Sequence, residues 1–184
     1  MLESLLTEIR QCTVCEPHLP LGANPVIRAH PAAKILIIGQ APGTKVHNTS
    51  IPWNDASGER LRQWLGLDRE AFYCEENIAI MPMGLCYPGK GRSGDLPPLW
   101  HAKVLEQLPN RQLTLLIGQY AQHYYLSDKP STLTETVQQW QRWAPSVLPL
   151  PHPSPRNTLW LRNHPWFEQD IVPYLRHRVK QVLT

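Results

Sequence analysis

Residues 34–43, reading Lys-Ile-Leu-Ile-Ile-Gly-Gln-Ala-Pro-Gly, constrain the fold more than any other stretch of the chain. Ile35–Ile38 is an unbroken apolar run dominated by β-branched side chains, the pattern of a short strand buried on both faces. It stops at Gly39, and Pro42 and Gly43 force a turn. In an open α/β sheet, ligands gather in the crevice beyond the carboxyl ends of the strands. Gln40, a polar residue at such an end, is therefore either a site residue or part of an ordinary strand-to-loop turn.

The remaining apolar runs fit that frame. Strands are expected at residues 77–81, 113–118 and 147–150, and helices at 99–108, 120–126 and 132–143. Leu2, Leu5, Leu6 and Ile9 predict an amphipathic helix at the start of the chain. Residues 16–33 and 44–55 read as loops. A helix then opens at Asp55-Ala-Ser-Gly and carries Leu61, Trp64 and Leu65 on its apolar face. Residues 167–182 predict a last helix kinked at Pro173. Strands alternating with helices predict an α/β fold, a three-layer α/β/α sandwich around a mainly parallel four-stranded sheet. The expectation is that all 184 residues form one domain. The loops after the first, second and fourth strands should then converge on one site.

No apolar run is long enough to cross a bilayer and the first residues lack the pattern of an export signal, so a cytoplasmic monomer is expected. The net charge of +3 permits a polyanionic partner without demanding one. Nineteen prolines, many beside Gly, Asn or His, point to stiff, shaped loops. Of the cysteines Cys12, Cys15, Cys74 and Cys86, the first two form a C-x-x-C, a pattern of metal or cluster ligation or of redox chemistry.

Two loops together resemble the uracil-DNA glycosylase superfamily. Gly39-Gln-Ala-Pro-Gly43 is similar to its first motif, a Gly-x-x-Pro after an apolar strand, and His152-Pro-Ser-Pro to its second, after the last strand. The order of Cys12-x-x-Cys15, Ile51-Pro-Trp, Ser57-Gly and Cys86 is similar to the four-cysteine, iron–sulfur branch of that superfamily. The resemblance implies a monofunctional DNA glycosylase with DNA as partner, acting on uracil or another deaminated base. Two other readings stay open: a divergent nucleic-acid-binding member without glycosylase activity, and a nucleoside or nucleotide hydrolase on a similar sheet.

What the resemblance implies for single residues is specific. His152 takes the place of the histidine that donates to the base carbonyl, and Gln40 with Ala41 lies beside the base. Trp53 takes the place of the aromatic stacking residue, or is a half-buried core tryptophan. Ala41 stands where a major branch has the aspartate that positions water, so Asp55 is the alternative carboxylate; its other reading is a helix N-cap. Met81 stands near the place of an asparagine that reads the uracil edge, which puts uracil preference in question. Arg156 and Asn157 follow the histidine loop where the superfamily presses on the duplex. Lys45, Lys90, Arg92 and Arg162 are further candidates for phosphate contacts, or solvated surface charges.

The resemblance also implies a 4Fe-4S cluster on Cys12, Cys15 and Cys86. Its fourth thiolate should follow Cys86, but residues 97–102 read Pro-Pro-Leu-Trp-His-Ala. His101 is one substitute; three buried thiols without a cluster is the other reading.

Overall fold

The computed structural model describes residues 1–92 and 96–184, so the far end of the Gly/Pro-rich loop after the second strand lies outside the described residues. Strands β1 (Ile35–Ile38), β2 (Ile78–Ile80), β3 (Leu113–Ile117) and β4 (Val147–Leu150) form one sheet in the order β2-β1-β3-β4. Every pairing is parallel, with Ile35 opposite both Ile78 and Leu113, and Leu115 opposite Leu148. All four strands therefore end on the same edge of the sheet. The expected α/β fold is what the chain adopts.

The period-2 alternation of the strands divides the core in two. Ile35, Ile37, Ile78, Ile80, Leu113 and Leu115 face one layer, built from α3 (Ala56–Leu65), α4 (Arg69–Phe72), α7 (Leu133–Gln138), α8 (Thr158–Asn163) and α9 (Val172–Leu183). Leu36, Ile38, Ala79, Met81 and Leu116 face the other, built from α1 (Leu2–Arg10), α5 (His101–Glu106) and α6 (Gln119–Tyr125). β1 is buried on both faces along its whole length. Each such side chain taken out of water stabilises the fold by roughly 1.5–3 kcal/mol.

Several elements differ from expectation. Part of the stretch read as a loop forms α2 (Thr44–Thr49). Residues 16–33 contain a 3-10 turn at Glu16–His18, and Arg28 makes an antiparallel bridge with Ile80, which covers the otherwise open edge of β2. The expected kink at Pro173 is replaced by a π-helical turn, Phe167–Ile171, that runs into α9. Pro173 thus sits in the first turn of α9, where a missing N–H costs little.

The ends of β3 and β4 are clamped by one side chain. Gln122 on α6 is fully buried, and its Nε2 donates to the carbonyls of Leu116 (3.1 Å) and Leu150 (2.9 Å). Gln122→Leu should therefore lower unfolding stability by roughly 1–3 kcal/mol in urea titration, despite relieving the unpaired buried Oε1. A variant as stable as the parent would show that the clamp contributes nothing.

Candidate functional site

Beyond the carboxyl edge of the sheet lies a cavity of about 350 Å³. Its walls come from residues 39–43 after β1, Pro82 after β2, His152 to Asn157 after β4, and Trp53 with Asp55 before α3. The convergence of the first, second and fourth loops follows from parallel pairing alone, since every strand delivers its next loop to the same edge.

His152 is the most constrained group here. Ser154 N–H donates to its Nδ1 (3.1 Å), and the Asn157 side chain donates to its carbonyl (2.7 Å). Arg60 on α3 donates to the Ser154 carbonyl (3.1 Å), tying the loop to that helix. Because Nδ1 accepts a backbone hydrogen, the neutral ring carries its proton on Nε2. Burial disfavours the imidazolium and holds the pKa down at about 4, against a smaller opposing pull from the Asp55 carboxylate. At neutral pH the ring is an uncharged donor with a fixed tautomer.

Asp55 has both positions that the sequence left open. Its Oδ1 accepts from Gly58 N–H (2.9 Å), so it is the N-cap of α3, and it also lines the cavity. Trp53 lies across Gly39, where a Cβ would come within 2.9 Å of the indole, and its ring centroid is 5.6 Å from that of His152. It is half-buried, packs on the first core layer and lines the cavity at once.

Trp53 also has φ +59°, a left-handed conformation that is costly for a bulky residue. Three features hold it there. Gly58 leaves room for the Trp53 carbonyl, which a Cβ would meet at 1.7 Å. Arg62, only 5% exposed, donates to that same carbonyl (3.1 Å) while its guanidinium lies 5.2 Å from the ring centre of Phe72 and 5.7 Å from that of Tyr73. Tyr73 in turn donates to the Pro52 carbonyl (2.7 Å). Sequence reading passed over Arg62; the available signal was a charged residue inside the apolar stripe of Leu61 and Leu65.

The other named residues separate into groups. Gln40 lines the cavity; its carbonyl accepts from Gly84 N–H (2.9 Å), and its side chain occupies the space left by Gly118, whose φ is +87°. Ala41, Arg156 and Asn157 line it too. Met81 does not: it points into the second core layer, as the alternation along β2 demands, and Pro82 takes the place on the wall. Lys90 and Arg92 border a neighbouring groove, Lys45 is exposed on α2, and Arg162 is exposed on α8 away from both.

His101 is no free ligand. It is 1% exposed, with Nε2 donating to the Pro82 carbonyl (2.8 Å) and Nδ1 bonded to the Tyr125 hydroxyl. It positions the wall residue Pro82 from α5. Cys12, Cys15 and Cys86 do come together, around a separate cavity of about 30 Å³ whose other walls are mostly apolar, including Leu19, Leu85, Leu99 and Trp100. Burial raises the pKa of the Cys15 and Cys86 thiols. Cys74 lies elsewhere, where its carbonyl accepts from the N–H groups of Asn77 and Ile78 before β2.

Among the described residues no helix is long and apolar enough to cross a membrane. The sequence model of the uracil DNA glycosylase superfamily matches residues 28–176. That span contains both loop motifs and every lining residue of the main cavity except Val26, and it begins after the C-x-x-C. Members of this superfamily are typically glycosylases that bind DNA. With most of its length matched, the chain belongs to the uracil DNA glycosylase superfamily.

Proposed function

We propose that this protein is a monofunctional DNA glycosylase of base excision repair, hydrolysing the N-glycosidic bond of uracil or another deaminated base. The observation that carries the reading is His152: an uncharged imidazole of fixed tautomer, in one cavity with an aromatic ring and a carboxylate. A base stacked in a duplex is out of reach and must be flipped into such a pocket. Trp53 supplies the stacking surface. As the glycosidic bond breaks, the departing base gains negative charge, and His152 Nε2–H donates to its carbonyl oxygen. A neutral donor strengthens its bond as that charge grows. The sugar gains positive charge, which the Asp55 carboxylate answers while also orienting water, a task that Ala41 has no group to perform.

A nucleic-acid-binding member without glycosylase activity is the second reading, and Ala41 is what favours it. Base release from oligonucleotides bearing uracil, hypoxanthine or xanthine, single- and double-stranded, decides between the two.

His152→Ala should lower kcat about a hundredfold or more, with little change in KM, because the donor acts in the transition state. Asp55→Asn keeps the cap and removes the charge, so a fully active Asp55→Asn would reduce Asp55 to a cap. The pH dependence has a definite sign. The folded-state pKa of His152 lies below its ordinary value of 6.5, so below pH 6.5 the unfolded chain binds a proton that the folded chain refuses. Its contribution to stability is present above pH 6.5 and is lost as the pH falls toward about 4. The Tm difference between the parent and His152→Gln should shrink over that window, and kcat/KM should show no inflection at 6.5. An inflection there that vanishes in His152→Gln would contradict the neutral donor.

The cluster fits less well than the active site. An iron–sulfur cube takes four thiolates. The cavity shared by Cys12, Cys15 and Cys86 offers three thiols, His101 is engaged elsewhere, and no metal-ligating group is formed among the described residues. Its volume suits about two waters at most. No step of the reaction is therefore routed through a cluster. The expected protein is colourless, with iron and sulfide far below stoichiometric after anaerobic reconstitution. Brown protein whose visible absorbance is lost in Cys12→Ser or Cys86→Ser would overturn this.

A further inference from the structure

A buried charge interrupts the apolar face of α3. That helix buries Gly58, Leu61, Arg62, Trp64 and Leu65, and an apolar residue at position 62 would continue the face. A charge costs more to bury than a hydrophobic side chain of similar size unless it is well paired. Among the described residues Arg62 has no carboxylate partner. Its hydrogen bonds go to the Trp53 carbonyl (3.1 Å) and the Tyr73 hydroxyl (3.4 Å), the rings of Phe72 and Tyr73 lie beside it, and its Nη2 has no hydrogen-bond partner. Packing alone does not account for an arginine here.

The Arg62 guanidinium holds the backbone around Trp53. Nη1 donates to the Trp53 carbonyl and to the Tyr73 hydroxyl, and that hydroxyl donates to the Pro52 carbonyl (2.7 Å). The two peptide planes that flank the Trp53 Cα are thereby fixed, and with them its φ of +59°. Gly58 and Arg62 are four residues apart on one line of α3, so the carbonyl rests over the glycine and meets the guanidinium one turn further on. The same backbone geometry lays the indole across Gly39, its ring centroid 5.6 Å from that of His152. A bulky residue released from the left-handed region moves to negative φ, which carries its side chain off in a new direction. Arg62 itself is not on the cavity wall.

We propose that Arg62 is a positioning residue for the ligand base: it fixes the peptide planes around Trp53 and so holds the indole where a base stacks. The stacking surface is set from inside the core by a group that never touches the ligand. That the ring meets a flipped base rests on the glycosylase reading, but the position of the ring is measurable with no ligand present.

The experiment is proton NMR of the His152 ring at one neutral pH, its resonance identified by loss in His152→Gln. An indole this close shifts that resonance through its ring current, and Trp53→Ala sets the end point. Arg62→Met should move the resonance toward that end point at nearly unchanged Tm, and should add nothing in the Trp53→Ala background. Tyr73→Phe keeps the ring and removes only the hydroxyl. It should move the resonance in the same direction, and it decides alone if Arg62→Met does not fold. On whichever oligonucleotide the parent cleaves, Arg62→Met should raise KM about tenfold, as for one lost stacking contact, with kcat within about twofold. An unmoved His152 resonance, with or without a fall in Tm, would overturn the proposal. Equal shifts with and without the Trp53 ring, or a moved resonance with KM unchanged, would do the same. Base release by the parent beside an unmoved resonance sinks the positioning role alone. The expected shifts without base release from uracil, hypoxanthine or xanthine oligonucleotides sink the glycosylase reading alone.

Discussion

Parallel pairing of β1 with both β2 and β3 is the constraint on which the rest of the structure depends. A strand buried on both faces has no solvent side, so its polar business can only happen at its end. Parallel neighbours place their ends beside it, and right-handed crossovers put the connecting helices on the two faces. Three loops that are distant in sequence, after residues 38, 80 and 150, are thereby brought to one cavity. At that edge each loop must also satisfy its own backbone groups. The self-bonded histidine loop and the Gln122 clamp beneath it are two answers to that demand.

The site combines a dry histidine with a strained tryptophan. Burial removes the charge from His152, and a single backbone N–H decides which ring nitrogen holds the proton. Its charge and its donating nitrogen are thus set by the fold before any ligand arrives. Trp53 is held in an unfavourable backbone conformation by a buried guanidinium, a tyrosine hydroxyl on the neighbouring carbonyl and a glycine. Strain of this kind persists only where the surroundings over-determine it. Arg62 is part of those surroundings, and it explains a buried charge that the core alone would not tolerate.

Much was legible in the sequence because it rests on local pattern. The four strands are apolar runs with strong β-propensity, and Asp55 precedes a helix start at N-cap spacing. The helices that escaped notice, α2, α4 and α8, have six, four and six residues. Segments that short are not stable by propensity, and tertiary packing forms them, so no local signal marks them. Met81 was misplaced for a different reason. An unbroken apolar run marks a strand without saying which face each residue takes; in the fold Ile78 and Ile80 face one core layer and Ala79 the other, and the same alternation turns Met81 away from the cavity.

By itself the sequence determined the layer order and the edge of the sheet where chemistry gathers, because strand period and parallel connection are properties of contiguous residues. It also named His152, Asp55 and Trp53, through motifs that are short and local. Only the tertiary structure decided what these groups are. The protonation of His152 depends on burial by residues far along the chain, and the place of Asp55, capping α3 and lining the cavity at once, depends on how α3 meets the cavity. The engagement of His101 with Pro82 and Tyr125 took it out of consideration as a ligand, a contact between residues 19 and 24 positions apart. Charge state, solvation and hydrogen-bond partners belong to the folded neighbourhood, and that neighbourhood is assembled from every part of the chain at once.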